Sequence, residues 1–276
     1  MKLELPATSP QGSGGYETPL NWLDIEMVPI RPVLTTNPRS GTHYLKSLVS
    51  TALGKLPLER DLSAPADLRA AVSSVSNDQL IYGHFSFSRH GEVLAESLPG
   101  LRMLVLTRHP FDRLISQLAF TKASGGPLPD PNASPQQLAR ELLLGQWDEK
   151  PWSSGLVVYD YAAHHNFLLR DLVTEWLINR NCRLVKFEDL ISRPTEILAD
   201  CLNFIGVALP RGEIAKITER INFMTLSGGR TQGKFDVTSH YRSGIVGEWL
   251  RVFSPTDIEI LKQKYGDEIE QTGYSL

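Results

Sequence analysis

Pro38-Arg39-Ser40-Gly41-Thr42 joins an apolar run, Pro32-Val33-Leu34, to a helical pattern, Tyr44-Leu45-Lys46-Ser47-Leu48-Val49. A strand, a tight glycine-containing turn and a helix N-terminus, in that order, make an anion site. Unpaired backbone N–H groups converge there, and the helix dipole favours negative charge. Arg39 adds a fixed cation whose fork of donors suits a tetrahedral oxyanion. Ser40 and Thr42 add hydroxyl donors. The segment reads as a phosphate or sulfate cradle. The plainer reading is a strand–turn–helix junction capped by Ser or Thr. It is not a Walker A loop, which needs Gly-x-x-x-x-Gly-Lys-Ser/Thr. Here there is one Gly, no Gly-Lys pair and no metal-binding Asp after a second strand.

Two further segments bear on that choice. In Leu104-Val105-Leu106-Thr107-Arg108-His109-Pro110-Phe111-Asp112-Arg113-Leu114-Ile115-Ser116, an apolar strand ends at Arg108. Pro110 stands near a helix start, where its missing N–H costs little. Ser116 lies about two helical turns beyond Arg108, so both can reach one phosphate. Arg108 reads equally as an ion-pair partner of Asp112. The second segment is Tyr241-Arg242-Ser243-Gly244-Ile245-Val246-Gly247-Glu248-Trp249, after Ser227-Gly228-Gly229-Arg230-Thr231-Gln232-Gly233-Lys234. A basic, Gly-rich loop of this kind closes over charged ligands or serves as a surface connection.

Together these segments resemble the sulfotransferase family that uses 3′-phosphoadenosine-5′-phosphosulfate (PAPS). Thr36-Asn37-Pro38-Arg39-Ser40-Gly41-Thr42 is similar to its 5′-phosphosulfate loop, and Arg108 with Ser116 to its 3′-phosphate pair. Val185-Lys186-Phe187-Glu188-Asp189-Leu190, Pro194 and Leu202-Asn203-Phe204-Ile205-Gly206-Val207 resemble its Tyr-Glu-Asp-Leu and Phe-Leu-Gly-Val block. Asn222-Phe223 through Gly228-Gly229-Arg230 resembles its Ser-Phe…Gly-Gly-Arg segment. Tyr241-Arg242-Ser243-Gly244 through Gly247-Glu248-Trp249 resembles its Arg-Lys-Gly…Gly-Asp-Trp signature. The likeness runs in order from about residue 31 to residue 276.

The resemblance implies a PAPS-dependent sulfotransferase that needs no metal. Arg39 and the N–H groups of residues 40 to 43, Ser40, Gly41, Thr42 and His43, would hold the 5′-phosphate, and Tyr44 would offer an aromatic contact to adenine. Arg108, Ser116, Arg242, Ser243 and Gly244 would hold the 3′-phosphate. Phe187 and Phe223 would pack around adenine. His84, in Tyr82-Gly83-His84-Phe85 after the second strand, would be general base, with His90 as a rival. A positioned histidine takes an acceptor proton near neutral pH. The chain departs from the family pattern at several places. Arg39 stands for Lys, His43 and Tyr44 for Thr and Trp, Phe187 for Tyr, and Ser243 for Lys.

The chain has 276 residues, net charge −3 and a 41% apolar fraction. That fits one large α/β domain or two small ones. No global basic field points to nucleic acid. Cys182 and Cys201 are the only cysteines, which points to a reducing, cytoplasmic setting without a disulfide framework. Met1-Lys2-Leu3-Glu4-Leu5-Pro6 lacks the long apolar core of a signal peptide. No window approaches the roughly 18 apolar residues of a spanning helix, so no membrane association is expected.

Along the chain, residues 6 to 19 are rich in Pro, Ser, Gly and Thr, and residues 1–28 read as a flexible arm before a domain over 29–276. Strands are expected near 33–36, 79–84, 102–107 and 183–186. Helices are expected near 41–53, 66–76, 112–121, 135–145, 158–179, 195–205, 211–220 and 255–270. Residues 122–155 read as a lid and 224–247 as a nucleotide-covering loop. Alternating strands and helices imply a single α/β domain with a mainly parallel central sheet, helices on both faces, and a P-loop-like strand–loop–helix. Ligands in such sheets bind beyond the strand C-termini, which gathers Arg39, His84 and Arg108 in one cleft.

Three other readings stay open at this stage. One is a P-loop-type kinase or hydrolase, one a binding protein that has lost catalysis, and one a sulfotransferase acting on carrier-bound polyketide chains. The resemblance implies a small-molecule acceptor with a hydroxyl or amine, of the secondary-metabolite kind and including saxitoxin-type alkaloids. Asp130, Asp148, Glu149 and Asp160 would suit a cationic acceptor. His164 and His165 diverge by about 100° on a helix and would not share a metal. Trp147, Trp152, Tyr159 and Tyr161 flank the expected lid and read as packing or acceptor-lining residues. The sequence leaves the oligomeric state open.

Overall fold

The structure, a computed structural model, describes residues 31–60, 62, 64–98, 100–126, 128, 130–144, 176, 181–236 and 238–276. The expected arm over 1–28, most of the helix near 158–179 and the lid beyond 144 lie outside these residues. So do Trp147, Asp148, Glu149, Trp152, Tyr159, Asp160, Tyr161, His164 and His165.

Five strands form one sheet: β1 Pro32–Thr36, β2 Leu56–Pro57, β3 Gln79–Gly83, β4 Arg102–Thr107 and β5 Cys182–Lys186. Their order is β2-β3-β1-β4-β5, and every described pairing is parallel. Val33 pairs with Ile81 on one side and Met103 on the other. Central strands of such a sheet are covered on both faces and read as continuous apolar runs. Met103-Leu104-Val105-Leu106 is one such run, all of it buried. Leu34, Leu80, Leu104 and Leu106 point into one core layer; Val33, Ile81, Met103 and Val105 point into the other. Burying each of these side chains contributes roughly 1.5–3 kcal/mol.

Ten helices flank the sheet among the described residues. They are α1 Thr42–Leu53, α2 Pro65–Ser74, α3 Phe87–Ser97, α4 Pro110–Ala123, α5 Pro135–Leu143, α6 Phe187–Ser192, α7 Pro194–Phe204, α8 Arg211–Arg220, α9 Phe223–Leu226 and α10 Pro255–Gln271. A 3₁₀ turn spans Glu248–Arg251. Helices α1, α7 and α8 supply Leu45, Leu48, Leu198, Leu202 and Ile214 to the first layer. Helices α2 and α3 supply Leu68, Val72, Val93 and Leu94 to the second. A third cluster joins α4, α5 and α10 through Phe111, Leu118, Leu138, Leu261 and Tyr265. Start signals work locally: α10 opens on a Ser254–Asp257 capping box with Pro255 behind it.

The expected strands and most expected helices are present within a few residues. Sequence reading passed over β2, α3, α6 and α9. Helix α3 carries Gly91 inside it and is held by burial of Val93 and Leu94 rather than by propensity.

After β1 the chain runs outward to β2 and β3; it then crosses β1 to reach β4 and β5. The crevice where that direction reverses lies at the carboxyl ends of β1 and β4.

Candidate active site

Four strand ends feed this crevice: β1 into Arg39, β3 into His84, β4 into Arg108 and β5 into Phe187. All four residues line one cavity of about 790 Å³, together with Gly41, Thr42, His43, Tyr44, Ser116, Phe223, Arg242, Ser243 and Gly244. Of the residues expected to hold the nucleotide or serve as general base, all but Ser40 and His90 therefore meet there.

The anion loop is built by tertiary ties. Asn37 N–H donates to Leu106 O at 3.1 Å, and Ser40 N–H returns to Asn37 O at 3.1 Å. Arg39 has φ 66°, the only non-glycine residue in the left-handed region among those described. Such a conformation costs about 1–3 kcal/mol and marks functional loops. Gly41 follows at φ 96° and caps α1 without any side-chain hydrogen bond. Tyr44 and Leu45 N–H both return to Gly41 O. The amides of Gly41, Thr42 and His43 find no acceptor among the described residues. The expectation that Ser40 N–H also binds the anion is corrected, because its turn bond consumes it. Ser40 itself is fully buried beneath the loop, with Oγ unpartnered.

Three arginines converge on the cavity. The Arg39 guanidinium lies 4.5 Å over the Phe120 ring. Burial, then repulsion from Arg242 and Arg108, pushes its pKa down to about 10, so it stays charged at neutral pH. Arg108 lies 4.8 Å over the Phe187 ring. Its Nη2 donates to Ile245 O at 3.1 Å and sits 3.6 Å from Asp112. Arg108 thus pairs with Asp112 and also lines the cavity. Buried Asp112 also accepts from Gly247 N–H at 2.7 Å and Trp249 N–H at 2.9 Å. Arg242 forks onto buried Glu248, a pairing that sequence reading missed. Its positive charge is thus largely neutralised within the protein.

His84 is exposed at the cavity wall. Its Nδ1 lies 2.6 Å from Thr36 O. A carbonyl oxygen only accepts, so Nδ1 carries the proton and Nε2 the lone pair. The surrounding protein desolvates the ring and lowers its pKa, partly offset by the Thr36 bond. His90 is no rival base: it is buried on α3, 5.5 Å from the Phe85 ring, and does not line the cavity.

His43 does not point freely to solvent. Its ring stands 4.5 Å from His240 and 6.4 Å from Tyr241, on the Gly-rich loop. Burial, then Lys46 and His240, push its pKa down to about 4. Behind it, Lys46 Nζ reaches Glu59 at 2.8 Å and the Tyr82 hydroxyl at 3.3 Å. Tyr82, Gln117, Phe120, Met224 and His240 are among the other residues that line the cavity. Sequence reading missed these five; the alternation of β3, which puts Tyr82 and His84 on one face, could have found Tyr82.

Buried donors without partners mark where a ligand fits. In the cavity, among the described residues, they are Nε of Arg39, Arg108 and Arg242. Together with the amides of Gly41 to His43, this donor set matches the phosphate and sulfate groups of PAPS. No group of three His, Cys, Asp or Glu side chains converges as a metal site among the described residues. No described helix is long and apolar enough to cross a membrane. No acidic residue is found among the described lining residues, and Asp130 stands apart from the cavity.

Comparison with solved structures finds the same fold. Mouse sulfotransferase SULT7A1 complexed with PAP, the desulfated nucleotide, superposes with a TM-score of 0.60 at 16% identity. That match covers 87% of this chain and 84% of the other. Retinol dehydratase in complex with androsterone and the inactive cofactor PAP gives 0.58 at 15% identity, covering 90% and 83%. The same enzyme with retinol and PAP gives 0.59 at 13% identity, covering 90% and 83%. No curated protein sequence matches this chain. The sulfotransferase domain family matches residues 29–273, and with nearly the whole described fold inside that match, the chain belongs to the sulfotransferase family.

Proposed function

We propose that this sulfotransferase moves the sulfuryl group of PAPS to a hydroxyl of a small, neutral, largely apolar acceptor, with His84 as general base. The observation that carries the reading is the convergence of Arg39, Arg108 and His84 on one cavity that also holds unsatisfied buried donors. Sulfuryl transfer is an in-line displacement with charge spread over equatorial oxygens. As the bond from sulfur to the bridging oxygen breaks, Arg39 and the amides of Gly41, Thr42 and His43 stabilise the departing 5′-phosphate. Arg108, Ser116, Ser243 and Gly244 hold the 3′-phosphate, with Arg242 supporting through Nε. Phe187 and Phe223 flank adenine. As the acceptor oxygen bonds to sulfur, its proton passes to Nε2 of His84.

The charge of the lining argues for the acceptor class. Arg108 and Arg242 are already paired with Asp112 and Glu248, and no acidic side chain faces the cavity among the described residues, so a cationic acceptor finds no counter-ion there. Phe120, Met224 and Tyr82 offer apolar area instead. Of the four acidic residues expected to suit a cationic acceptor, Asp130 does not line the cavity, and Asp148, Glu149 and Asp160 lie outside the described residues.

Calorimetric titration with PAP in the absence of magnesium tests the donor. Micromolar binding that disappears in Arg108→Ala supports it. Failure to bind PAP, with binding of ATP and magnesium instead, overturns it in favour of a nucleotide kinase. A panel of labelled-donor reactions then tests the acceptor: cationic amines outcompeting neutral alcohols and phenols would overturn that part.

A further inference from the structure

The Gly-rich loop from Ser227 to Gly244 carries Arg242, Ser243 and Gly244 to the cavity. Arg230 fixes its shape. Nη2 donates to Tyr241 O at 2.7 Å, and Nη1 donates to both Arg242 O and Lys234 O at 3.1 Å. Nε reaches Ser227 O at 3.4 Å. One guanidinium therefore ties the outgoing arm of the loop, at Ser227 and Lys234, to the returning arm, at Tyr241 and Arg242. The same side chain lies 5.7 Å over the Phe223 ring. Two amides on the outgoing arm repeat the tie: Gly233 N–H donates to Ser243 O at 2.8 Å and Asp236 N–H to Arg242 O at 2.9 Å. Asp236 stands 3.8 Å from Arg230 and leaves the carbonyl bonds in place.

We propose that Arg230 is a positioning residue for the nucleotide. It touches neither phosphate nor reacting atoms. It sets the backbone at Tyr241 and Arg242, and so the approach of Ser243, Gly244 and Arg242 Nε to the 3′-phosphate, while holding Phe223 in place. This role rests on the nucleotide-binding function proposed above. The planar fork of Arg230 donors spans four carbonyls from fixed directions; a lysine ammonium is a point charge on a flexible stem. Lysine is therefore not a conservative replacement here.

The experiment compares the full chain with Arg230→Lys and Arg230→Ala by calorimetric titration with PAP. Hydrogen exchange at the Gly233 and Asp236 amides is followed in parallel. The expected result is a Kd raised roughly tenfold or more in both variants, from loss of two to three hydrogen bonds that order the loop. Binding stoichiometry stays unchanged, and exchange at the two amides accelerates. A merely destabilised protein would instead lose stoichiometry and keep its Kd. If Arg230→Ala does not fold, Arg230→Lys carries the same comparison. A Kd within about threefold of the parent in the lysine variant overturns the positioning role. Unchanged exchange at both amides overturns it as well. A parent chain that fails to bind PAP overturns the nucleotide function itself, and the exchange result then still decides whether Arg230 orders the loop.

Discussion

Nδ1 of His84 lies 2.6 Å from the carbonyl oxygen of Thr36, the last residue of the strand that feeds the anion loop. Thr36 Oγ1 is 3.1 Å from the same nitrogen and 2.7 Å from Thr42 Oγ1, the first residue of α1. The candidate base and the anion loop are thus one hydrogen-bonded unit. The bond to Thr36 O fixes the tautomer, so Nε2 is the nitrogen that accepts a proton.

Replacing His84 with Ala should lower kcat by roughly 10²–10⁴ while leaving PAP affinity within about threefold of the parent. The base works only when neutral, and desolvation lowers its pKa. In the parent, kcat/KM should therefore rise with pH with a midpoint below the ordinary histidine value of 6.5. A pH–rate profile and calorimetry check both points; an unchanged kcat would remove His84 from the chemistry.

Gly244 has φ 65°, and a Cβ there would meet Cδ2 of Phe223 at 2.4 Å. Gly228 has φ 73° with nothing within 4 Å. Gly228→Ala should cost only the backbone strain, about 1 kcal/mol. Gly244→Ala adds a clash with the Phe223 ring, proposed above to flank adenine, and should weaken PAP binding by more than about tenfold. Thermal melts and calorimetry on the pair separate strain from steric exclusion. Equal PAP affinities in the two variants would count against a nucleotide contact at Phe223.

His109 is buried, stacked on Trp249 at 4.5 Å with an 8° interplanar angle, and accepts the Phe111 N–H at Nδ1. Burial, only partly offset by Asp112, pushes its pKa down to about 4. The unfolded chain binds this proton near pH 6.5 and the folded chain only near pH 4. Stability should therefore fall as pH drops through that window, by about 1 kcal/mol per pH unit from this group. Denaturant unfolding of the parent and His109→Gln at pH 7 and pH 5 measures the difference. The variant should start less stable and lose less on acidification; equal losses would remove His109 as the source.

Much of the site is legible along the chain because its chemistry is carried at strand ends. Arg39, His84 and Arg108 each follow an apolar run, and parallel strands deliver such ends to one edge. Ser40 shows where linear reading fails. Its place in the turn motif counts it among the anion donors, but the turn consumes its N–H and buries its side chain. His43 and His240 meet only because the Gly-rich loop folds back over α1, and no local pattern records that approach. The Arg242–Glu248 pair escaped notice for a related reason. The chain between the two residues is irregular, so no helical or strand period relates them.

The sequence by itself determined the strand–turn–helix cradle, the alternation that makes a parallel α/β sheet, and the residues offered at its carboxyl edge. Periodicity, turn chemistry and capping are local, and a linear reading captures them. Only the tertiary structure decided which cations remain available to a ligand, which nitrogen of His84 is basic, and how the Gly-rich loop is held. Charge compensation, tautomer and loop shape depend on groups far apart in the chain, such as Asp112 against Gly247, Thr36 against His84 and Arg230 against Tyr241, and packing alone brings them within hydrogen-bonding distance.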